Sequence, residues 1–123
     1  MKEKSTQNMG REAEEQARVY LSANGVKILE TNWRFRKYEI DIIGIDGDFL
    51  VIYEVKARST DAFGEPELFV NRKKQRFLVA AAAQYIEEKG LDLEVRFDIL
   101  ALLAINNNYT VKHLKSAFYP EIK

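Results

Sequence analysis

The sequence predicts one α/β domain, a mixed sheet with helices packed on it in the order αβββαββ. Three observations predict it. Two segments repeat apolar residues at helical spacing, β-rich segments lie between and after them, and one dipeptide is a strong hairpin signal. Both prolines, Pro66 and Pro120, fall outside the periodic segments.

The polar stretch Met1–Gln7 reads as a flexible tail to a single domain spanning 1–123. From Asn8 to Asn24, Met9, Ala13, Ala17, Tyr20 and Leu21 recur three or four apart, which predicts a helix. Asn8 suits its N-cap and Gly25 its C′ position. Short extended segments follow at Val26–Glu30 and Asn32–Lys37, then a strand at Glu39–Ile45. Asp46-Gly47 reads as a two-residue hairpin loop, with Phe49–Ala57 as the partner strand. Ser59–Pro66 is a loop. Asn71–Lys89 carries the stripe Phe77, Leu78, Ala81, Ala82, Tyr85 and Ile86 and closes at Gly90, which predicts the second helix. Leu93–Ile105, a turn at Asn106–Asn108, and Tyr109–Leu114 complete the sheet.

Composition narrows the function. The 123 residues hold 19 Lys plus Arg against 19 Asp plus Glu, so a protein that holds nucleic acid by bulk charge is excluded. Having no cysteine removes disulfides, thiolate zinc sites and a cysteine nucleophile. The N-terminus lacks an apolar h-region and the longest apolar run, Ile99–Ile105, is too short to span a bilayer. A soluble cytoplasmic domain is expected.

The hairpin brings charge together. With Asp46 and Gly47 as the loop, Asp41 faces Ile52 and Glu39 faces Glu54. Alternation then puts Glu39, Asp41, Glu54 and Lys56 on one face, and Ile40, Ile42, Val51, Tyr53 and Val55 on the other. Asp41 and Glu54 become diagonal neighbours, roughly 5–8 Å apart at Cβ. Three carboxylates on one face repel unless a cation sits among them, and Lys56 offsets only one. Hard oxygen ligands favour Mg²⁺ or Mn²⁺, which polarises a phosphate and acidifies water. A solvated sheet face would carry the same charges. Apolar Leu50 and Ile52 precede Glu54 on its face, however, and set the charged end beside buried surface.

Basic residues lie elsewhere. Val70, Lys74 and Leu78 are four apart, so Lys74 extends a buried stripe and either snorkels to solvent or reaches a site at the sheet edge. Arg72, Lys73, Lys74 and Arg76 cluster at a helix start, where the dipole disfavours cations and phosphate would welcome them. Trp33, Arg34, Phe35, Arg36 and Lys37 alternate aromatic with basic, which suits stacking plus phosphate contact and equally an amphipathic strand. Arg58 follows the acidic strand. Asp98, inside an apolar strand, needs a partner, for which Arg96 is the near candidate, and His113 reads as structural or surface.

Asp41 followed by Glu54-x-Lys56 in this element order resembles the PD-(D/E)xK superfamily of restriction-endonuclease-like nucleases. A closer resemblance is to the YraN-like uncharacterised protein family, itself similar to archaeal Holliday junction resolvases. It covers nearly the whole chain, through Gly10, Glu14, Ala17, Tyr20-Leu21, Asn32-Trp33-Arg34, Glu39-Ile40-Asp41-Ile42-Ile43, Glu54-Val55-Lys56-Ala57-Arg58, Phe63-Gly64-Glu65-Pro66, Lys74, Arg96-Phe97-Asp98, His113 and Ala117-Phe118. Tyr38 and Ala13 stand where that family usually has glycine.

The resemblance implies a restriction-endonuclease-like core with an extra C-terminal strand. It makes Asp41 and Glu54 ligands of Mg²⁺ or Mn²⁺, completed by Glu14, with Glu39 behind them and Lys56 as the catalytic lysine. Lys74 and Gln75 match a helix position that touches the scissile phosphate in some members, and Arg58, Arg34 and Arg36 would flank the nucleic acid. The expected activity is metal-dependent endonucleolytic hydrolysis of DNA, duplex or branched, with a homodimer as the form that suits a junction. A non-catalytic nucleic-acid-binding module and a protein-interaction domain are the rival readings.

Overall fold

The computed structural model describes residues 6–58, 70–106 and 108–120, with side chains from Gly10 onward. Its elements are α1 (Thr6–Ala23), β1 (Lys27–Phe35), β2 (Tyr38–Asp46), β3 (Phe49–Arg58), α2 (Arg72–Lys89), β4 (Glu94–Ile105) and β5 (Asn108–Phe118). The αβββαββ order is observed, with the two short extended segments joined as β1. The predicted loop at Ser59–Pro66 and Asn107 of the predicted turn lie outside the described residues.

Ala13, Ala17 and Leu21 of α1 are 1%, 0% and 0% exposed, the i, i+4 stripe that a helix presents to a sheet. The helix starts before Asn8, which therefore lies inside α1 instead of capping it. Thr6 and Gln7, expected in the tail, are helical too. Gly25 closes it at φ +83 with Val26 N–H on Leu21 O and Gly25 N–H on Ser22 O, the paired bonds of a Schellman end. Helix α2 is capped at both ends. Asn71 Oδ1 accepts from Lys74 N–H at 2.8 Å, and Gly90 takes the left-handed conformation at φ +62.

The five strands lie in the order β1-β2-β3-β4-β5. Only β3 and β4 are parallel, joined by the crossover that contains α2, and the other pairs are antiparallel. Apolar residues leave the sheet in two directions. Ile43, Leu50, Ile52, Phe97 and Ile99 pack with Leu78, Ala81, Ala82 and Tyr85 of α2. Ile42, Val51, Tyr53, Leu100 and Leu102 pack with Ala13, Ala17 and Leu21 of α1. The sheet is thus the middle of three layers, and no helix of the described residues is long and apolar enough to cross a membrane.

The hairpin loop is one residue later than expected. Asp46 pairs with Phe49, leaving Gly47 and Asp48 as the loop, and positive φ at Gly47 alone gives the type II′ pattern. Asp46 stays in the strand because Arg96 Nη2, fifty residues downstream, holds its carboxylate at 2.7 Å. Ile43, not Asp41, therefore faces Ile52. Moving the loop by one residue shifts opposed partners by two positions, so β3 keeps its predicted faces.

Strand β2 does not keep all of its own. Ile40 and Ile43 share the α2 cluster while Ile42 joins the α1 cluster, so alternation breaks at Asp41. In the β1–β2 ladder Thr31 pairs with Ile42 and Trp33 with Ile40, and the Asn32–Asp41 position between them is skipped. Asn32 sits there at φ +51, a conformation that asparagine tolerates better than most residues. Two corrections follow. Ile40 lies on the α2 side, and Glu39, between Tyr38 and Ile40, points to the side opposite Glu54.

Candidate functional site

The β2–β3 ladder runs from the turn to Ile42–Tyr53 and stops. At the next position Asp41 turns its side chain into the gap, and Oδ2 accepts the Val55 N–H at 2.7 Å. A strand backbone would otherwise take that N–H, so the break and the pinned carboxylate are one feature. Oδ1 carries no hydrogen bond from the described residues.

Three elements deliver acid to this break. Glu54 on β3 is reached from α2 by Lys74, whose Nζ is 3.6 Å from Oε2, with the glutamate side chain only 15% exposed. Lys74 thus reaches the sheet, the second of the two outcomes its spacing allowed. Glu14 comes from α1 and is steadied by Asn32, whose Nδ2 donates to Oε2 at 3.0 Å. A cleft of about 310 Å³ lined by Arg11, Glu14, Arg18, Asn32 and Asp41 opens on that side.

The electrostatics register the convergence. Burial pushes the Asp41 carboxyl up to about 7, and the charges of Glu54 and Glu14 push the same way. The Val55 N–H and Lys74 pull against them. A carboxyl so placed is stabilised in its charged form by an added cation.

Among the described residues, no three acidic or imidazole groups close around a point as a complete cage. Magnesium does not require one, because it is held by one or two carboxylates and keeps several waters and substrate oxygens. Asp41 and Glu54 are the two carboxylates that could supply such a partial set. Lys56 is half-buried two residues beyond Glu54, on the same face by the unbroken alternation of β3. Its ammonium makes no ion pair with the described residues.

The remaining candidates sit farther out. Gln75 donates to Val70 O at 2.7 Å and lines a cleft with Arg72, Arg76 and Tyr119, so it is not gathered with the carboxylates. Arg34 is exposed and pairs in the ladder with Glu39, while Arg36, at φ +59 in the β1–β2 turn, lies over Phe35 at 4.8 Å. Arg58 ends β3, exposed, with Nη1 donating to Ala57 O. Asn32, which the sequence analysis named only within the Asn32-Trp33-Arg34 motif, is an unforeseen part of the site. It was placed at the start of the predicted segment Asn32–Lys37, and nothing in that pattern marks the skipped ladder position.

A second polar cluster holds the fold. Asp98, 1% exposed, accepts Arg96 Nε at 2.9 Å, His113 Nε2 at 2.7 Å and Ser116 N–H at 3.0 Å. Tyr20 of α1 meets His113 Nδ1 at 2.9 Å. Burial alone would raise the Asp98 carboxyl, yet these donors to its charged form hold it below the ordinary range. Arg96 is the partner expected, and His113 is structural.

Fold and site together define a three-layer, mixed α/β protein with a carboxylate cluster at a break in its central sheet. Residues 13–102 match the profile described as Uncharacterised protein family UPF0102. The chain belongs to that family, the YraN-like family indicated by its motifs. A UPF0102 protein of Parabacteroides distasonis is 45% identical over 112 residues, spanning 91% of this chain and 93% of the relative. One from Flavobacterium psychrophilum is 43% identical over 112 residues, 91% of this chain and 94% of its own. One from Thermodesulfovibrio yellowstonii is 45% identical over 111 residues, 90% of this chain and 96% of its own.

Proposed function

We propose that the protein is a metal-dependent endonuclease that hydrolyses phosphodiester bonds of duplex or branched DNA in the cytoplasm. The observation that carries this reading is the ladder break at Asp41, which sets a pinned, charge-strained carboxylate beside Glu54 and Glu14 with two lysines at hand. A structural acidic face gains nothing from such crowding, since like charges opposed across strands destabilise the sheet. A mere DNA binder gains nothing from carboxylates aimed at phosphate.

Asp41 and Glu54 would hold Mg²⁺ or Mn²⁺, with Glu14 completing the set. When bound, the ion polarises a phosphate oxygen and lowers the pKa of water. Lys56 orients the attacking water and stabilises charge developing on phosphorus-bound oxygen. Lys74, released from Glu54 as phosphate arrives, neutralises the strand. Water adds to phosphorus, the 3′-oxygen leaves and takes up a proton, and the products are a 3′-hydroxyl and a 5′-phosphate. A homodimer would present two such centres to the two strands of a junction.

A cleavage panel of linear, nicked and four-way-branched DNA with Mg²⁺ or Mn²⁺ tests this. Wild-type protein should cleave at least one form, and Glu54→Gln should lower the rate about 100-fold or more while its circular dichroism stays unchanged, the scale expected when metal stabilisation is lost. Absence of cleavage on every form with either metal sinks the proposal.

A further inference from the structure

A hollow of about 240 Å³ lies beside the carboxylates on the α2 side, lined by Tyr38, Asn71, Lys73, Lys74 and Phe77. Its wall is aromatic. Tyr38 meets Phe77 edge to face at 5.0 Å, and Phe77 in turn meets Phe35 at 5.8 Å. Phe35 stacks on Trp33 at 6.1 Å and 8°. The inner rings are packed into the α2 cluster, but Tyr38, at the outer end, is 50% exposed. An exposed ring backed by a fixed row of rings is an apolar face held rigid without being buried.

Its rim is cationic, and no acid among the described residues lines it. Lys73 and Lys74 stand in the first turn of α2, set there by the Asn71 cap. Lys74 Nζ lies 5.8 Å from the centre of Phe77 and 3.6 Å from Glu54 Oε2, so one ammonium connects the hollow to the carboxylate site. Stacking surface and phosphate-binding charge one side-chain length apart match a nucleotide, base on the ring and phosphate on the lysine. A base inside a duplex has both faces covered by its neighbours and cannot use the ring. The match is therefore to a nucleotide outside the stack.

We propose that Tyr38 and Phe77, with Lys73 and Lys74, form a subsite for an unpaired nucleotide next to the phosphate at Glu54, so that the protein prefers DNA carrying a flap, bulge or branch. This rests on the carboxylate site acting on nucleic acid, and its test needs no cleavage. A 2-aminopurine is placed either in a one-nucleotide flap or opposite thymine in an otherwise identical duplex, and titrated with protein in EDTA. Stacking on a tyrosine quenches the probe.

Wild-type protein should quench the flap probe and bind the flapped DNA more tightly than the paired DNA. Tyr38→Ala should lower that ratio of affinities about tenfold, in the range of one base–ring stack, and abolish the quench. Tyr38→Trp should keep both. An equal loss on the two DNAs, no quench by wild type, or free deoxyadenosine monophosphate binding as tightly as the flap overturns the subsite. If the quench and the ratio are found and no DNA is cleaved with either metal, the subsite stands and the nuclease reading falls. If DNA is cleaved with no such ratio, the reverse holds.

Discussion

At the scale of single residues, Asp41 carries the most information. Its carboxyl is raised from 3.8 to about 7, so it favours the folded state in its protonated form. That stability is full below the unfolded value of 3.8 and is lost as pH rises through 7. Asp98, with its lowered value, acts in the opposite sense but only on the acid side of 3.8, outside this window. Thermal unfolding in EDTA should therefore show a midpoint that falls between pH 5 and pH 8. Asp41→Asn, which can still accept the Val55 N–H, should flatten the profile and be more stable than wild type at pH 8. An unchanged slope in the variant would assign the pH dependence to other groups.

At this same scale, β3 was legible and β2 only in part. Alternation from Leu50 to Lys56 put Glu54 and Lys56 on one face, and nothing in the fold disturbs it. The same rule placed Glu39 there, and it failed because Asn32 and Asp41 drop out of the ladder together. Period-two alternation has no means of anticipating a local break that a partner strand shares.

Among elements, the hairpin shows how a distant partner decides a local choice. Asp46-Gly47 and Gly47-Asp48 are both acceptable two-residue loops. The ion pair from Arg96 on β4 retains Asp46 in the strand and so selects the second. Strand β5 runs past the predicted Leu114 to Phe118 for a similar reason. Asp98 takes the Ser116 N–H, with Ser116 at φ +53, and Phe118 stacks on Phe97 at 4.8 Å. Gly44 reflects crowding between neighbouring elements. A Cβ there would lie 2.8 Å from Val26 Cγ1 and 3.0 Å from Lys27 O. The backbone oxygen cannot retreat without moving β1, so Gly44→Ala should cost about 1–3 kcal/mol, measured by urea unfolding. A neutral result would show that the start of β1 yields.

Across the whole molecule, two polar constellations have different tasks. Glu14, Asp41 and Glu54 come from α1, β2 and β3 and crowd one another. Asp98 instead is satisfied from several directions, by Arg96, His113 and Ser116, while Arg96 reaches Asp46 and His113 reaches Tyr20. This second cluster ties α1, the β2–β3 turn, β4 and β5 into one body. Asp98→Ala leaves the His113 imidazole and the Ser116 N–H without their acceptor and Arg96 with Asp46 alone, and should cost about 3–5 kcal/mol in urea unfolding. A loss below about 1 kcal/mol, the usual range of exposed pairs, would show that the cluster contributes little.

The equal count of acids and bases has a spatial meaning at this scale as well. Acids gather at the ladder break, while Lys73 and Lys74 open α2 and Arg36 turns the β1–β2 corner. The sequence alone determined the order of elements, because periodicity and caps are local. It determined the family through ordered motifs, and it identified Asp41, Glu54 and Lys56 as candidates because residue chemistry and strand alternation are both local. Only the tertiary structure decided which carboxylates meet, where the hairpin turns, and that Asn32 steadies Glu14 while Tyr38 stands exposed beside Lys74. Those outcomes depend on contacts between residues far apart in the chain, whose energies no local pattern contains.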